Sequence, residues 1–255
     1  MTIPSGKVSS PPEVNPDSWL PLPHRGILQP NSGDDTLKRM SRLYTEHAGE
    51  LRKLLAYKDL YLPRPAALVA SNRAALWARA ADFVGRNEPV TYIEFGVANG
   101  GSIRNIAREF PHPQSVFVGF DSFIGLPEDW LTLQRGTFDN MGKAPVVDDP
   151  RIRFVDGWIQ NTLHESLDWL KPRLSGRVLV HYDADIYSST LFLLTSMWPH
   201  CPSYFFIMDD FMVDDIVALH DFARSYPVDI EFLARLEGGF PHSVVGKMAR
   251  KSFSL

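Results

Sequence analysis

Short apolar runs alternate with helix-length segments along most of this 255-residue chain. Each run is followed by glycine or aspartate, and in the segments between the runs apolar residues recur every three or four positions, which is typical of a helix packed on one face. We predict strands at 92–95, 115–120, 152–155, 177–182 and 204–208, and helices at 101–109, 162–170, 191–198 and 216–223. Strands separated by helices require crossover connections, so the pattern predicts an α/β fold with a parallel sheet and helices on both faces.

Both ends of the chain extend this pattern. Residues 230–236 and 243–250 are expected to form an antiparallel pair that closes the sheet. Near the start, apolar positions from about Asp34 predict a helix that either docks on its own domain or pairs with a second copy of the chain. A second helix is predicted from Ala66 to Gly85, with Leu68 among its inward positions.

The first 33 residues differ from the rest because they contain seven prolines. Such a composition disfavours helix and sheet. The segment is either a disordered tail or, because it carries Trp19 and Ile27, a segment that lies along the domain or caps a pocket. We therefore expect a proline-rich arm (1–33), N-terminal helices that act as a lid or in dimerisation (34–88) and a main domain (89–255).

Composition narrows the classes of function. The net charge is −4 and the pI about 6.1, without a basic stripe, so no nucleic-acid partner is expected. The single cysteine, Cys201, excludes an intrachain disulfide and a cysteine-based zinc site. With no signal-peptide pattern and no apolar run of membrane-spanning length, we expect a cytoplasmic protein without a membrane partner.

The stretch from Glu94 to Ser102 places glycines between a predicted strand and a predicted helix. Gly96, Gly100 and Gly101 tolerate positive φ and leave no Cβ against a ligand, and the start of the helix offers unpaired N–H groups. The spacing Gly-x-x-x-Gly-Gly differs from the dinucleotide and triphosphate fingerprints. It therefore indicates a nucleotide-like cofactor other than NAD or ATP.

Aspartates follow three of the predicted strands, at Asp121, Asp183 and Asp209–Asp210. The carboxyl ends of parallel strands share one edge, where ligands bind. Asp121 comes one βα unit after the glycine turn, where an acidic residue meets the ribose hydroxyls of a nucleoside. The other three carboxylates require a cation such as Mg²⁺ if they converge, and such an ion can orient a substrate hydroxyl and lower its pKa.

Purely structural roles remain open for several residues. An aspartate after a strand commonly caps the next helix, and we expect this role for Asp185. His181 shares a strand face with Asp183 and is either a general base or a hydrogen-bonded packing residue. Trp158, which closely follows Asp156, either flanks an adenine ring or packs under the next helix.

A long segment between Asp121 and Asp149 has no predicted helix or strand. It carries apolar residues, among them Trp130 and Phe138, between glycines and prolines. Long loops of this kind in compact domains are commonly lids or walls of a binding site. We expect this loop to cover the substrate side of the site.

Several motifs taken together resemble one enzyme family. They are Ile93–Val97 with Gly100–Ser102, Gly119–Trp130, Gly136–Asp139, Gly157–Leu163, Asp183–Thr190 and Asp209–Phe211. In this order the chain resembles class I S-adenosylmethionine-dependent O-methyltransferases of the macrocin/mycinamicin (TylF/MycF-like) type, across about residues 90–215. The resemblance implies a Rossmann-like methyltransferase fold with a mostly parallel seven-stranded sheet, and it makes 89–255 the S-adenosylmethionine-binding catalytic domain.

The resemblance also implies the cofactors and their residues. S-adenosylmethionine is expected to lie against Glu94, Gly96, Asn99, Ser102, Asp121, Ser122, Asp156 and Trp158. Asp121 is expected to bind its ribose, and Asp156 and Trp158 to flank its adenine. A divalent cation, usually Mg²⁺, is expected at Asp183, Asp209 and Asp210, with Asp183 most directly involved in deprotonating the acceptor.

The implied reaction is methylation of a hydroxyl on a sugar or other natural product, by a homodimer or a larger homo-oligomer. Methyl transfer is an in-line displacement, so alignment and an unprotonated acceptor oxygen are the main requirements. Two alternatives remain open. One is a metal-independent small-molecule methyltransferase with Asp183 or His181 as base, and the other is a non-catalytic S-adenosylmethionine-binding or scaffold subunit.

Overall fold

An eight-stranded sheet forms the centre of the compact unit of residues 52–255. In this computed structural model the described residues are 48–62, 68–238 and 242–252. The strands are β1 (Leu68–Ala70), β2 (Val90–Phe95), β3 (Val116–Asp121), β4 (Ile152–Asp156), β5 (Arg177–Tyr182), β6 (Ser203–Met208), β7 (Val228–Leu236) and β8 (Val244–Arg250). Their order across the sheet is β1, β7, β8, β6, β5, β2, β3, β4, and β8 runs antiparallel to its neighbours β6 and β7.

Helices cover both faces of this sheet. They are α1 (Arg73–Val84), α2 (Gly101–Glu109), α3 (Ile159–Leu170), α4 (Tyr187–Met197) and α5 (Ile216–Ser225). Shorter helical pieces lie at Tyr57–Tyr61, Lys171–Arg173 and Phe211–Asp215. Apolar side chains of α1 and α2 belong to one buried cluster, and those of α3, α4 and α5 to another.

The strand sequences explain why the sheet has an apolar cluster on each side. Successive residues of a strand point to opposite faces. Ile93 and Val180 belong to the cluster beneath α3, α4 and α5, whereas Tyr92 and Leu179 belong to the cluster beneath α1 and α2. Strands β2 and β5 are therefore buried along most of their length, as parallel strands between two helical layers must be.

The structure confirms the mostly parallel α/β sheet, and its doubly wound strand order makes it Rossmann-like. In the part of the chain that the structure describes, the sheet has eight strands and not seven. The predicted helix at Ala66–Gly85 is wrong at its start, because Leu68–Ala70 pairs in parallel with β7. Asn72 then caps α1 by accepting the N–H of Ala75 at 2.9 Å. A three-residue strand is too short to show an alternation that distinguishes it from a helix.

The closing antiparallel pair is confirmed as β7 and β8, with an irregularity between Phe232 and Ala234. β8 lies between β6 and β7, so the last strand in sequence is inside the sheet and not at its edge. No helix within 48–62, 68–238 or 242–252 is both long enough and apolar enough to cross a bilayer.

The chain separates into residues 1–51 and a compact unit of residues 52–255. The predicted arm (1–33) and most of the predicted helix that begins near Asp34 lie outside the described residues. In the compact unit, residues 52–61 are helical and place Ala56 and Tyr61 in the core. The subdivision into 34–88 and 89–255 stays a prediction.

Candidate functional site

A cavity of about 480 Å³ lies at the carboxyl edge of the parallel strands. Its volume is in the range of small-molecule sites. The glycine turn after β2, the ends of β5 and β6, the first turn of α1, the long loop after β3 and the start of α3 form its walls. Because the chain winds in opposite directions from β2 and from β5, the cavity lies at the switch point of the sheet.

Gly96 lets the ends of β2 and β5 approach each other. Its φ is +88°, and a Cβ at this position would lie 1.8 Å from the backbone oxygen of Asp183. Two residues of the same turn shape the start of α2: Gly100 is its N-cap, and the Asn99 side chain accepts the N–H of Gly101 at 3.0 Å. Gly96, Asn99 and Gly101 all line the cavity.

Asp121 ties the glycine turn to the end of β3. One carboxylate oxygen accepts the backbone N–H groups of Val97 and Ala98, at 2.7 and 2.8 Å, and the other accepts that of Phe123 at 2.7 Å. A carboxylate has about four acceptor positions. Three are filled by the chain itself, so Asp121 has room for about one further hydrogen bond from a ligand in the cavity.

Glu94 and Ser102 form the base of the cavity beside the glycine turn. Ser102 lines the cavity and donates to one Glu94 oxygen at 2.5 Å, while Tyr92 donates to the other oxygen at 2.5 Å. The Glu94 side chain is fully buried, and burial raises its pKa. It therefore lies beneath the cavity wall, and its contact with the cavity runs through Ser102.

Of the three remaining expected cofactor residues, two line the cavity. Ser122 lies next to Asp121, and Trp158 immediately precedes α3. Asp156, at the end of β4, is exposed and is not part of the cavity wall. The structure thus brings Trp158 to the site without Asp156.

The carboxylates after β5 and β6, together with His181 of β5, form two overlapping groups of possible metal ligands that share Asp183. One contains His181, Asp183 and Asp209, and the other contains Asp183, Asp185 and Asp210. Within each group the nearest side-chain nitrogen or oxygen atoms all lie within 4.8 Å of one another. The expected trio of Asp183, Asp209 and Asp210 is brought to one edge of the sheet, together with Asp185.

The prediction that Asp185 caps the following helix is wrong. The N-cap of α4 is Ile186, which makes no side-chain capping bond. Asp185 has a φ of +63° and lines the cavity next to Asp210. Positive φ in a residue other than glycine carries strain, which persists where the surroundings hold the residue in place.

The carboxylates in this cluster resist ionisation. Burial, and then the charge of Asp209, hold the pKa of Asp183 well above its usual value. Burial, and then the neighbouring Asp210, raise the pKa of Asp185 to about 8. Burial also raises the pKa of Asp210. The cluster therefore favours protonation or a bound cation near neutral pH.

The donor atoms suit a hard divalent cation. Asp183, Asp185 and Asp210 offer only oxygen, the ligand that Mg²⁺ prefers, and they face the cavity, where water or a substrate can complete the coordination. Two oxygens on one Mg²⁺ are separated by at most about 4.2 Å. The ligand atoms of the cluster lie within 4.8 Å of one another, so the residues fit such an ion after side-chain movements that bring each pair inside this limit.

Asp209 differs from the other three acids. Its side chain is 1% exposed, and one oxygen accepts the hydroxyl of Ser243 at 2.5 Å. The other lies 3.2 Å from Nε2 of His181 and 3.8 Å from Nε of Arg73. Burial alone would raise the pKa of Asp209, but these positive partners hold it below its usual value.

His181 is a buried residue with polar partners on both sides. Its Nδ1 lies 2.7 Å from the hydroxyl of Tyr92, and Nε2 faces Asp209. Burial opposes a positive charge on the ring, but Asp209 and then Glu94 raise the pKa of His181 to about 9. Of its two expected roles, this geometry favours the hydrogen-bonded packing role.

The long loop after β3 lines the cavity, as expected, and Trp130 and Phe138 are among its lining residues. Trp130 packs against Ile186, the residue that directly follows Asp185 in the sequence. Sequence reasoning did not identify Arg73 and Trp77, from the first turns of α1, which also line the cavity. In the sequence Arg73 and Trp77 lie within an ordinary helical pattern, so only the packing of α1 on the sheet reveals them.

Asp215 provides a test of how burial affects these acids. It is fully buried outside the cavity wall, accepts the Thr190 hydroxyl at 2.6 Å, and burial raises its pKa to about 8. Because its pKa in the unfolded chain is about 3.9, its stabilising contribution is complete below about pH 4 and is lost as the pH rises to about 8. Asp215→Asn keeps the bond from Thr190 and cannot ionise.

We therefore expect Asp215→Asn to be more stable than the parent by several kcal/mol at pH 8, on the order of 5 for a pKa raised from about 3.9 to about 8, with little difference at pH 4. Urea unfolding at both pH values measures the change. Asp229→Asn, at an exposed position of β7, serves as the control and should behave like the parent. A variant no more stable than the parent at pH 8 would contradict the expected cost of ionising Asp215.

Comparison with solved structures finds methyltransferases. The O-methyltransferase NovP is 22% identical over 71% of this chain and 80% of that chain, with a TM-score of 0.48. CalS11, a TDP-rhamnose 3′-O-methyltransferase of calicheamicin biosynthesis, is 18% identical over 87% and 95%, with a TM-score of 0.45. A Bacillus cereus O-methyltransferase in complex with S-adenosylhomocysteine is 13% identical over 79% and 90%, with a TM-score of 0.42. No protein-family model and no curated protein matches the chain.

Proposed function

We propose that this protein is an S-adenosylmethionine-dependent O-methyltransferase of small molecules that uses a divalent cation, most simply Mg²⁺. The observation that carries the proposal is the combination, in one cavity, of a glycine turn at the switch point with a carboxylate cluster beside it. The turn suits a nucleoside donor and the cluster suits an acceptor hydroxyl with its cation. Neither half alone would specify methyl transfer.

The donor end would hold S-adenosylmethionine, which supplies the methyl group as a sulfonium. Gly96 and Gly101 leave the backbone bare, and Trp158 offers an aromatic face for adenine. Asp121 has about one acceptor position left, so it would bind one ribose hydroxyl while it continues to hold the turn. The other hydroxyl would be bound by another group, for which the adjacent Ser122 is placed.

The acceptor end is the part of the cavity at the carboxylate cluster. A divalent cation would be held there by Asp183, Asp209 and Asp210, with Asp185 as a further ligand. A divalent cation at this cluster lowers the pKa of a hydroxyl that it binds. Asp183 lies at the centre of the cluster, because it belongs to both groups of possible metal ligands. It would accept the proton of the acceptor hydroxyl. The backbone contact between Gly96 and Asp183 fixes this residue against the donor turn, so that donor and acceptor atoms are aligned.

The finer assignment is to the macrocin/mycinamicin type, acting on a hydroxyl of a sugar or another natural product in a homo-oligomer. The order of the sequence motifs supports it. The cavity lining supports it too, because it includes Trp77 and Trp130. Aromatic faces suit the apolar face of a sugar ring.

Calorimetric titration of the full-length protein with S-adenosylhomocysteine and Mg²⁺ tests donor and cation sites together. We expect S-adenosylhomocysteine to bind with a Kd between about 1 μM and 1 mM, the range usual for enzyme ligands. A panel of nucleoside diphosphate sugars and glycosides, assayed with labelled S-adenosylmethionine, tests turnover. EDTA should abolish turnover and Mg²⁺ should restore it.

The outcomes distinguish the alternatives. Absence of S-adenosylhomocysteine binding would overturn the proposal. Turnover that survives EDTA would replace it with a metal-independent methyltransferase in which Asp183 acts without a cation. Donor binding without Mg²⁺ binding or turnover across the panel would favour a non-catalytic S-adenosylmethionine-binding subunit.

A further inference from the structure

A chain of buried polar contacts joins the two ends of the cavity beneath its floor. Ser102 donates to Glu94 at 2.5 Å, Tyr92 donates to the second Glu94 oxygen at 2.5 Å, and the same hydroxyl lies 2.7 Å from Nδ1 of His181. Nε2 of His181 then lies 3.2 Å from Oδ2 of Asp209, an ion-pair distance, and neither atom has a hydrogen bond from the described residues. The chain thus runs from the first turn of α2, at the donor end, to the carboxylate cluster at the acceptor end.

The proton positions along this chain follow from its donors. The single Tyr92 proton goes to Glu94, so Nδ1 of His181 must carry the proton that faces the tyrosine oxygen. A neutral ring would then point a bare Nε2 at the Asp209 carboxylate, which is repulsive. An imidazolium ring between Glu94 and Asp209 removes this conflict.

A second arrangement leads to the same result at Asp209. In this arrangement Tyr92 passes its proton to Glu94 and takes the Nδ1 proton of His181. Glu94, Tyr92 and His181 remain hydrogen-bonded to one another, and Nε2 of His181 keeps its proton. Asp209 therefore faces an N–H in both arrangements. This continuity depends on the Tyr92 hydroxyl, which is the link between Glu94 and His181.

Burial makes the chain rigid. Tyr92, Glu94 and His181 are 0% exposed, and Asp209 is 1% exposed. Without water to replace a lost partner, each of these groups is costly to leave unpaired. The rings of Trp77 and His181 are in edge-to-face contact, with centroids 6.3 Å apart. Movement at one end of the chain therefore disturbs the bonding at the other.

We propose that Tyr92 and His181 are positioning residues that orient Asp209 and couple donor binding at Ser102 to divalent-cation binding at the carboxylates. A ligand that fixes Ser102 fixes Glu94 and, through Tyr92 and His181, Asp209. The cluster is then pre-organised for the cation, and by linkage the cation strengthens donor binding by the same factor. This inference rests on the proposed function, since it takes both ligands from it.

Calorimetry measures the coupling directly. In the parent protein, saturating Mg²⁺ should lower the Kd of S-adenosylhomocysteine by about fivefold or more, and saturating S-adenosylhomocysteine should do the same for Mg²⁺. Tyr92→Phe removes only the linking hydroxyl. It should weaken Mg²⁺ binding by about tenfold, as loss of a group that orients a metal ligand commonly does, and bring the coupling factor close to one.

Tyr204→Phe is the matched control. It also removes a buried tyrosine hydroxyl, one that is paired with Tyr182 at 2.7 Å in the cluster beneath α3, α4 and α5. It should keep the Mg²⁺ affinity and the coupling of the parent. Tyr92→Phe loses two buried contacts, to Glu94 and to His181, whereas Tyr204→Phe loses one, so the melting temperature should fall further in Tyr92→Phe. The coupling factor, and not the melting temperature, is therefore the measure that separates positioning from stability.

Glu94→Gln breaks the same chain at its other end and is measured in parallel, so that the test remains if Tyr92→Phe does not fold. Its carboxamide cannot accept from both Ser102 and Tyr92 with the two atoms that the carboxylate uses. We expect the coupling to be lost there too. Coupling retained in a folded variant of either kind, or no coupling in the parent, would overturn the inference. Failure of the parent to bind S-adenosylhomocysteine would instead overturn the proposed function.

Discussion

Asp183→Asn is expected to lower methyl transfer by about a thousandfold or more, because the acceptor hydroxyl loses its base and the cation loses the carboxylate shared by both groups. Asparagine has nearly the same shape, so the donor turn keeps its contact with the backbone at this position. S-adenosylhomocysteine should bind within about twofold of the parent affinity when Mg²⁺ is absent. Single-turnover assays and calorimetry measure the two quantities.

The stability of Asp183→Asn provides an independent check on this prediction. Burial and Asp209 hold the pKa of Asp183 well above its usual value, so the charged side chain destabilises the fold once it ionises. The variant should therefore unfold at a higher temperature than the parent at alkaline pH without Mg²⁺. Asp168→Asn, on the exposed face of α3, is the control for both measurements. Turnover at the parent rate in Asp183→Asn would contradict the role proposed for Asp183.

The positions of the strands could be predicted because parallel strands between two helical layers need long apolar runs. Strand β5, at 177–182, has the predicted bounds, and β2, β3, β4 and β6 each differ by no more than two residues at either end. Because the strand ends could be predicted, so could the edge of the sheet at which Asp121, Asp183 and Asp209 lie. A site at the carboxyl ends of strands is thus largely readable from the sequence.

The side chains around those ends could not be predicted in the same way. Asp185 follows a strand by two residues and precedes a helix, so its sequence context is that of a cap, whereas its φ of +63° turns it towards the cavity. Arg73 and Trp77 depend on how α1 packs against the sheet. The contacts of Tyr92 with Glu94 and His181 require the register between β2 and β5, in which Glu94 lies opposite His181.

Strand β1 shows the same limit for the fold. Leu68–Ala70 forms a strand because it meets the edge of β7, which is more than 150 residues away in sequence. The composition of residues 68–70 suits a helix as well as a strand. Asn72 is the N-cap of α1, but it marks the boundary between strand and helix only once the start of the helix is known. Long-range pairing overrides local propensity here, and a pattern read over a short window does not contain that information.

Gly96→Ala should destabilise the fold by about 3 kcal/mol or more and weaken S-adenosylhomocysteine binding by at least tenfold. The φ of +88° is strained for alanine, and the new Cβ would lie 1.8 Å from the backbone oxygen of Asp183. Because that neighbour is backbone, the clash is relieved only by separating the ends of β2 and β5. Such a shift moves the donor turn away from the proposed base, so stability and donor binding should be lost together.

Gly136→Ala separates the two causes. Gly136 has a nearly equal φ of +84°, and apart from its two chain neighbours no described residue has an atom within 4 Å of its ideal Cβ position, so alanine there carries the backbone strain without the clash. This control should lose about 1 kcal/mol in urea unfolding. The additional loss in Gly96→Ala then measures the contact between the two strand ends. Equal losses in the two variants would mean that the ends of β2 and β5 separate easily, and that their close approach does not hold Asp183 against the donor turn.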